Sequence, residues 1–186
     1  MNKNILTISF LLLVFQAISQ VTFEKGYIIT LKGDTIRGEI KRNPKKDVEL
    51  YTKIMFKISE NEKKTYNATK IKEYNIKEQL FIAKQIDNEN VFVRRVAVGA
   101  INLYEYEYED QGPSGDAAIN TDYYVQKMGK EEWIKLKENK FRKQLAELMS
   151  DNKEIVAELE DKKIALDKIL EIIEKYNSWY KENNPN

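Results

Sequence analysis

Near Asn139 the spacing of the apolar residues changes from two to about 3.6, and this switch limits the fold more than anything else in the sequence. Before it, short β-prone runs are punctuated by turn residues. Gly26-Tyr27-Ile28-Ile29-Thr30-Leu31 and Thr35-Ile36-Arg37-Gly38-Glu39-Ile40 flank Lys32-Gly33-Asp34, the pattern of a hairpin. In its second strand Ile36, Gly38 and Ile40 share one face while Thr35, Arg37 and Glu39 share the other. Pro44 and its polar neighbours break the ladder, and short strands are expected at 48–51, 54–58, 65–66 and 71–76. A second hairpin is expected from 80–86 and 91–98, turning through Asp87-Asn88-Glu89-Asn90. Leu103-Tyr104-Glu105-Tyr106-Glu107-Tyr108-Glu109 then alternates strictly, and after a loop at 110–116 strands are expected at 123–127 and 132–136. Eight to ten short strands joined by hairpins predict an antiparallel sheet, closed into a barrel or split into a sandwich.

After Asn139 the pattern is helical. Phe141, Leu145, Leu148 and Met149 form one stripe, Ile155, Val156 and Leu159 a second, and Leu166, Ile169, Leu170, Ile173 and Tyr176 a third on a helix expected over 164–180. The expected class is α+β: an antiparallel β-rich body at 20–138 and two or three C-terminal helices at 139–186 packed on it as part of one domain.

Residues 1–19 read as a secretory leader. Lys3 precedes an apolar run from Ile5 to Phe15, and the small residues Ala17 and Ser19 place the cut between Ser19 and Gln20. The run is too short to span a bilayer, and no later stretch is apolar enough to do so. Removing 19 of the 186 residues leaves 167, enough for one sizeable core, with basic and acidic side chains in balance because Lys3 is the leader's only charge. Nothing in that balance suggests nucleic-acid binding.

The sequence has no His and no Cys. Imidazole bases, Ser-His-Asp or Cys-His nucleophile pairs, thiolate or His-containing zinc sites, disulfides and lipidated cysteines are therefore excluded, and no cofactor or metal site is expected. An exported domain without disulfides must be held together by its core.

The candidate recognition face is the ladder Tyr104, Tyr106 and Tyr108. Three rings about 7 Å apart on one strand face suit stacking on sugar rings or peptide side chains; alternatively they fill a core or cover the helices, leaving Glu105, Glu107 and Glu109 as a solvated stripe. Gly33-Asp34-Thr35 reads as turn chemistry and Gly38 as a bulge or close sheet contact, not as a cation or phosphate site. The polar turns at 87–90 and 110–116 lack calcium-loop spacing, and the basic pairs Lys45-Lys46, Lys63-Lys64 and Arg94-Arg95 read as solvated faces. Paired carboxylates could serve a glycosidase, but so many acidic residues make close pairs inevitable.

The leader, the stretch Lys25-Gly26-Tyr27-Ile28-Ile29-Thr30, Gly33-Asp34-Thr35-Ile36, Gly38-Glu39-Ile40, Gly99 before Leu103-Tyr104, and Tyr176-Asn177 before Trp179-Tyr180 together resemble a group of small exported proteins of Bacteroidetes bacteria. The resemblance implies export and an α+β fold, and it carries over no catalytic residue. The sequence thus points to an exported cell-envelope module, periplasmic, outer-membrane-associated or secreted, that binds an envelope protein or a glycan without catalysis. The competing readings are a carbohydrate-binding or carbohydrate-active protein using Tyr and Glu residues, and a purely structural envelope component.

Overall fold

The computed structural model describes residues 21–111, 116–161 and 164–185. The cleavage expected between Ser19 and Gln20 lies outside the described residues.

Ten strands form one antiparallel sheet: β1 (Thr22–Thr30), β2 (Thr35–Arg42), β3 (Lys53–Ser59), β4 (Glu62–Asn67), β5 (Ile71–Ile76), β6 (Gln79–Ile86), β7 (Glu89–Ala97), β8 (Ile101–Gln111), β9 (Ala117–Lys127) and β10 (Ile134–Lys135). Their order is β10-β9-β8-β7-β6-β5-β1-β2-β3-β4. Strands that follow each other in sequence are neighbours except β4 and β5, because β5 pairs with β1 and so leaves β1, β2 and β3 between the two. The sheet keeps two edges, β4 and β10, so the α+β class and strand number are as expected while the ladder does not close on itself. Three helices follow, α1 (Phe141–Leu148), α2 (Lys153–Glu160) and α3 (Ile169–Asn183). No described helix is long and apolar enough to cross a membrane. The chain divides into two compact units at Phe92/Val93, within β7.

In the first unit β1 and β2 pair through the Gly33 turn, where φ is +99°, a value glycine adopts without penalty. The core is aromatic. Tyr74 stacks on Phe81 at 4.7 Å, Tyr51 meets Phe81 edge-on at 5.4 Å, and Phe92 meets Tyr74 edge-on at 4.9 Å. Residues 48–51, expected as a strand, instead end a 3-10 segment over Pro44–Tyr51. The local reason is its start: Asn43 accepts a hydrogen bond from the Lys45 amide, and Pro44 supplies a preset φ where no amide donor is needed. Leu50 and Tyr51 then enter the core, and the Tyr74 hydroxyl donates to the Leu50 carbonyl at 2.6 Å.

In the second unit the helices pack on one face of β8 and β9. Leu103 and Val125 meet Phe141, Leu145, Met149, Ile155 and Leu159, with Ile169, Ile172, Ile173 and Tyr176 completing the cluster. The α3 stripe is Ile169, Ile172, Ile173 and Tyr176, at i, i+3, i+4 and i+7; Leu166 and Leu170, expected on it, pack only partly at its margin. Burial of the three isoleucines contributes at most about 5–9 kcal/mol. Between α1 and α2 the chain breaks at Asp151-Asn152, and Asn152 caps the second helix: its Oδ1 accepts from the Ile155 amide at 3.0 Å.

α3 is fixed by a polar clamp. Asn177 Oδ1 accepts from the Ile101 amide and its Nδ2 donates to the Ile101 carbonyl, both at 2.8 Å. Gly99 leaves room for it, since a β-carbon there would stand 2.7 Å from both Oδ1 and Nδ2 of Asn177. Gly99→Ala and Asn177→Ala are each expected to cost about 1–3 kcal/mol in urea unfolding. The double variant should cost at least about 1 kcal/mol less than their sum, because the added methyl then meets no amide. Strict additivity would show that the clamp and the glycine are energetically separate.

Candidate functional site

β8 and β9 hold the tyrosine ladder in register: Tyr104 opposes Tyr124, Tyr106 opposes Asp122, and Tyr108 opposes Asn120. Because side chains alternate along a strand, Leu103 and Glu105 turn toward the helices and the tyrosines turn away from them.

The three rings do not share one environment. Tyr104 is only 4% exposed. Trp133, in the segment between β9 and β10, stacks on it at 3.9 Å with an interplanar angle of 21°, and the Tyr104 hydroxyl donates to Gln126 Oε1 at 3.1 Å. Gln126 is itself tied to the Lys130 carbonyl at 2.7 Å, so the turn after β9 holds the cover in place. Tyr106 and Tyr108 lie beyond Trp133, half-buried, with their ring centroids 5.5 Å apart and 21° from parallel. Lys135 Nζ contacts Asp122 Oδ2 at 2.5 Å and lies 6.0 Å from the Tyr124 ring centroid. Burial is the largest single influence on Lys135 and opposes its charge, but the hydrogen bond to Asp122 together with the electrostatic pull of Tyr124, Asp122 and Tyr108 outweighs it and raises its pKa above the ordinary lysine value. The open stretch of the face is thus two parallel phenol rings edged by a fixed acid–base pair.

The glutamates do not form a solvated stripe. Glu105 is 5% exposed on the helix-facing side, where both Nε and Nη2 of Arg94 reach Oε1 at 2.5 Å. Arg94 is therefore a partner to a buried carboxylate rather than part of a solvated basic pair. Glu107 is half-buried and Glu109 exposed, so both faces of β8 are covered at its start and open toward its end.

The sequence reading passed over a second concave surface, lined by Lys25, Tyr27, Arg37, Glu39 and Lys57 around Gly26 and Gly38. The turn at Gly33 already fixes the register that sets Gly26 opposite Gly38 and Tyr27 opposite Arg37. That register was the available signal; the chain's return through β3 was not legible. Comparison of the chain with protein-family models, curated proteins and solved structures finds no match.

The surroundings of Tyr104 make an alkaline prediction. Loss of water raises its pKa above the ordinary phenol value. A tyrosine whose folded pKa is raised adds stability that is complete below the unfolded value of about 10 and is lost as pH rises toward the folded value. Burial raises Tyr74, and burial with the neighbouring Asp151 carboxylate raises Tyr176, so both act with the same sign. Urea midpoints should therefore fall steeply above about pH 10, and Tyr104→Phe should make that fall shallower. An unchanged slope in the variant would mean that Tyr104 ionises as freely in the folded chain as in the unfolded one.

Proposed function

We propose that this chain is an exported, non-catalytic recognition module of the bacterial cell envelope, akin to the small Bacteroidetes proteins that its hairpin and closing helix resemble, and that it binds a glycan through Tyr106 and Tyr108. The observation that carries the reading is the pair of stacked, half-exposed rings on the sheet face that the helices leave uncovered. A phenol face accepts the apolar side of a sugar ring, and the adjoining Asp122, Asn120 and Lys135 supply acceptors and donors for its hydroxyls. Tyr104 supports the site from beneath Trp133 and does not itself present a free ring. Export follows from the leader, which directs the mature chain to the periplasm or beyond.

The test is a glycan screen on the chain recovered from the periplasm, with its first residue read by mass spectrometry. The expected start is Gln20. For the oligosaccharide bound best, Tyr106→Ala and Tyr108→Ala should each weaken affinity roughly tenfold or more while the melting temperature stays within a few degrees, since each removes a stacking surface from a half-buried position. Retention of full affinity in both variants, or a chain that stays in the cytoplasm with Met1 in place, would overturn the reading.

A further inference from the structure

The first hairpin and β3 border a groove of about 740 Å³, within the range of small-ligand sites. Its side chains come from the strand positions that alternate with the buried Ile28 and Ile40, so it opens on the face away from the core of the first unit. The floor is main chain. Gly26 and Gly38 stand directly opposite each other, and a β-carbon at Gly38 would lie 2.5 Å from the Lys57 carbonyl and 2.6 Å from the Phe56 ring.

Four cations line the groove, and they are not equivalent. Lys57 Nζ sits between Glu39 at 2.7 Å and Glu60 at 2.8 Å, and 4.8 Å from the Phe23 ring centroid. Those carboxylates hold its pKa above the ordinary lysine value, and Lys57 in turn occupies both of them. Lys77 is paired with Glu24 at 3.0 Å. Lys25 and Arg37 have no ion-pair partner among the described residues. They stand on a diagonal across the glycine pair, Lys25 opposite Glu39 and Arg37 opposite Tyr27, so as diagonal neighbours they lie about 7–8 Å apart and both long side chains can reach one anion.

The remaining walls define what that anion is attached to. Tyr27, Asn75 and Ser59 offer a phenol, an amide and a hydroxyl, and Ile58 is the one aliphatic side chain in the lining. An apolar acid would find little to bury, whereas a hydroxylated one finds partners on three strands. The planar fork of Arg37 matches a carboxylate with two parallel hydrogen bonds, which the point charge of Lys25 cannot do alone. We infer that this groove binds a carboxylated saccharide, with the acid group on Arg37 and Lys25 and the sugar hydroxyls on Tyr27, Asn75 and Ser59. The site is separate from Tyr106 and Tyr108 and does not rest on them.

The experiment is calorimetric titration of the full mature chain with trigalacturonate, triguluronate and sialyllactose, with methyl-esterified trigalacturonate and inorganic phosphate as controls. At least one acidic sugar should bind, with affinity falling as salt is raised. For that sugar, Arg37→Gln should weaken binding about tenfold or more, and Lys25→Gln should weaken it by a smaller factor, because only arginine makes the paired contact. Both side chains are exposed, so neither change should alter the far-ultraviolet circular dichroism. Binding by none of the acidic sugars, equal binding of the methyl ester, phosphate binding as tightly as the sugar, or full affinity in Arg37→Gln would each overturn the assignment. Tyr106→Ala distinguishes the two sites, since it should leave this binding unchanged.

Discussion

The side-chain amide of Asn177 replaces a missing strand. Where β7 gives way to β8 the antiparallel register shifts between Arg95 and Ala97, and the ladder lapses before Ile101. A buried peptide group without a partner there would cost free energy on the scale of a lost hydrogen bond. Asn177 presents the same donor and acceptor that a neighbouring peptide would, and so joins α3 to the sheet at a fixed point along both elements. Apolar contacts between α3 and β8 could slide; this pair of bonds cannot. Lys127 adds a second tie by donating to the Leu148 carbonyl at the end of α1, the helix terminus at which a positive charge is favoured. The orientation of the helices, and therefore which face of β8 they leave uncovered, follows from these polar contacts as much as from burial.

Strand content and the switch to helix were legible because both rest on local periodicity. The first hairpin, the alternation of β8 and the stripe of α1 stand where their spacing places them. Residues 44–51 were not legible as a helical turn, since Val48 and Tyr51 carry strand preferences and only the cap at Asn43 and the bond from Tyr74 to Leu50 decide otherwise. Ile172 rather than Leu170 lies on the buried stripe of α3 for a related reason: Asn177 and Tyr176 set the rotation of the helix, and hydrophobicity alone does not distinguish two aliphatic positions two residues apart.

The glycines show the difference between seeing a pattern and knowing its cause. Gly26, Gly38 and Gly99 stand out in the sequence next to hydrophobic strands, but none of the three needs a positive φ. Each is required by what lies against it: the Asn75 carbonyl for Gly26, Phe56 and Lys57 for Gly38, and Asn177 for Gly99. The last pair is separated by most of the second unit, so its two halves read in sequence as unrelated features. Glu105 is the same kind of case. Its alternation with tyrosine places it opposite them, and only the helices and Arg94 turn that side into a buried one.

An open sheet must also avoid pairing its edges with other chains. β10 is only two residues long and offers little ladder to a partner. β4, Glu-Lys-Lys-Thr-Tyr-Asn, is exposed along almost its whole length and carries three charges, the composition that discourages strand addition. Recognition by edge pairing is thus disfavoured at both ends, and the faces remain. On those faces the two units differ in kind: the first gathers cations around a glycine floor, the second sets out phenol rings beside an acid–base pair. The hydroxylated and acidic ligands proposed for these faces are ones that charge and ring stacking can hold.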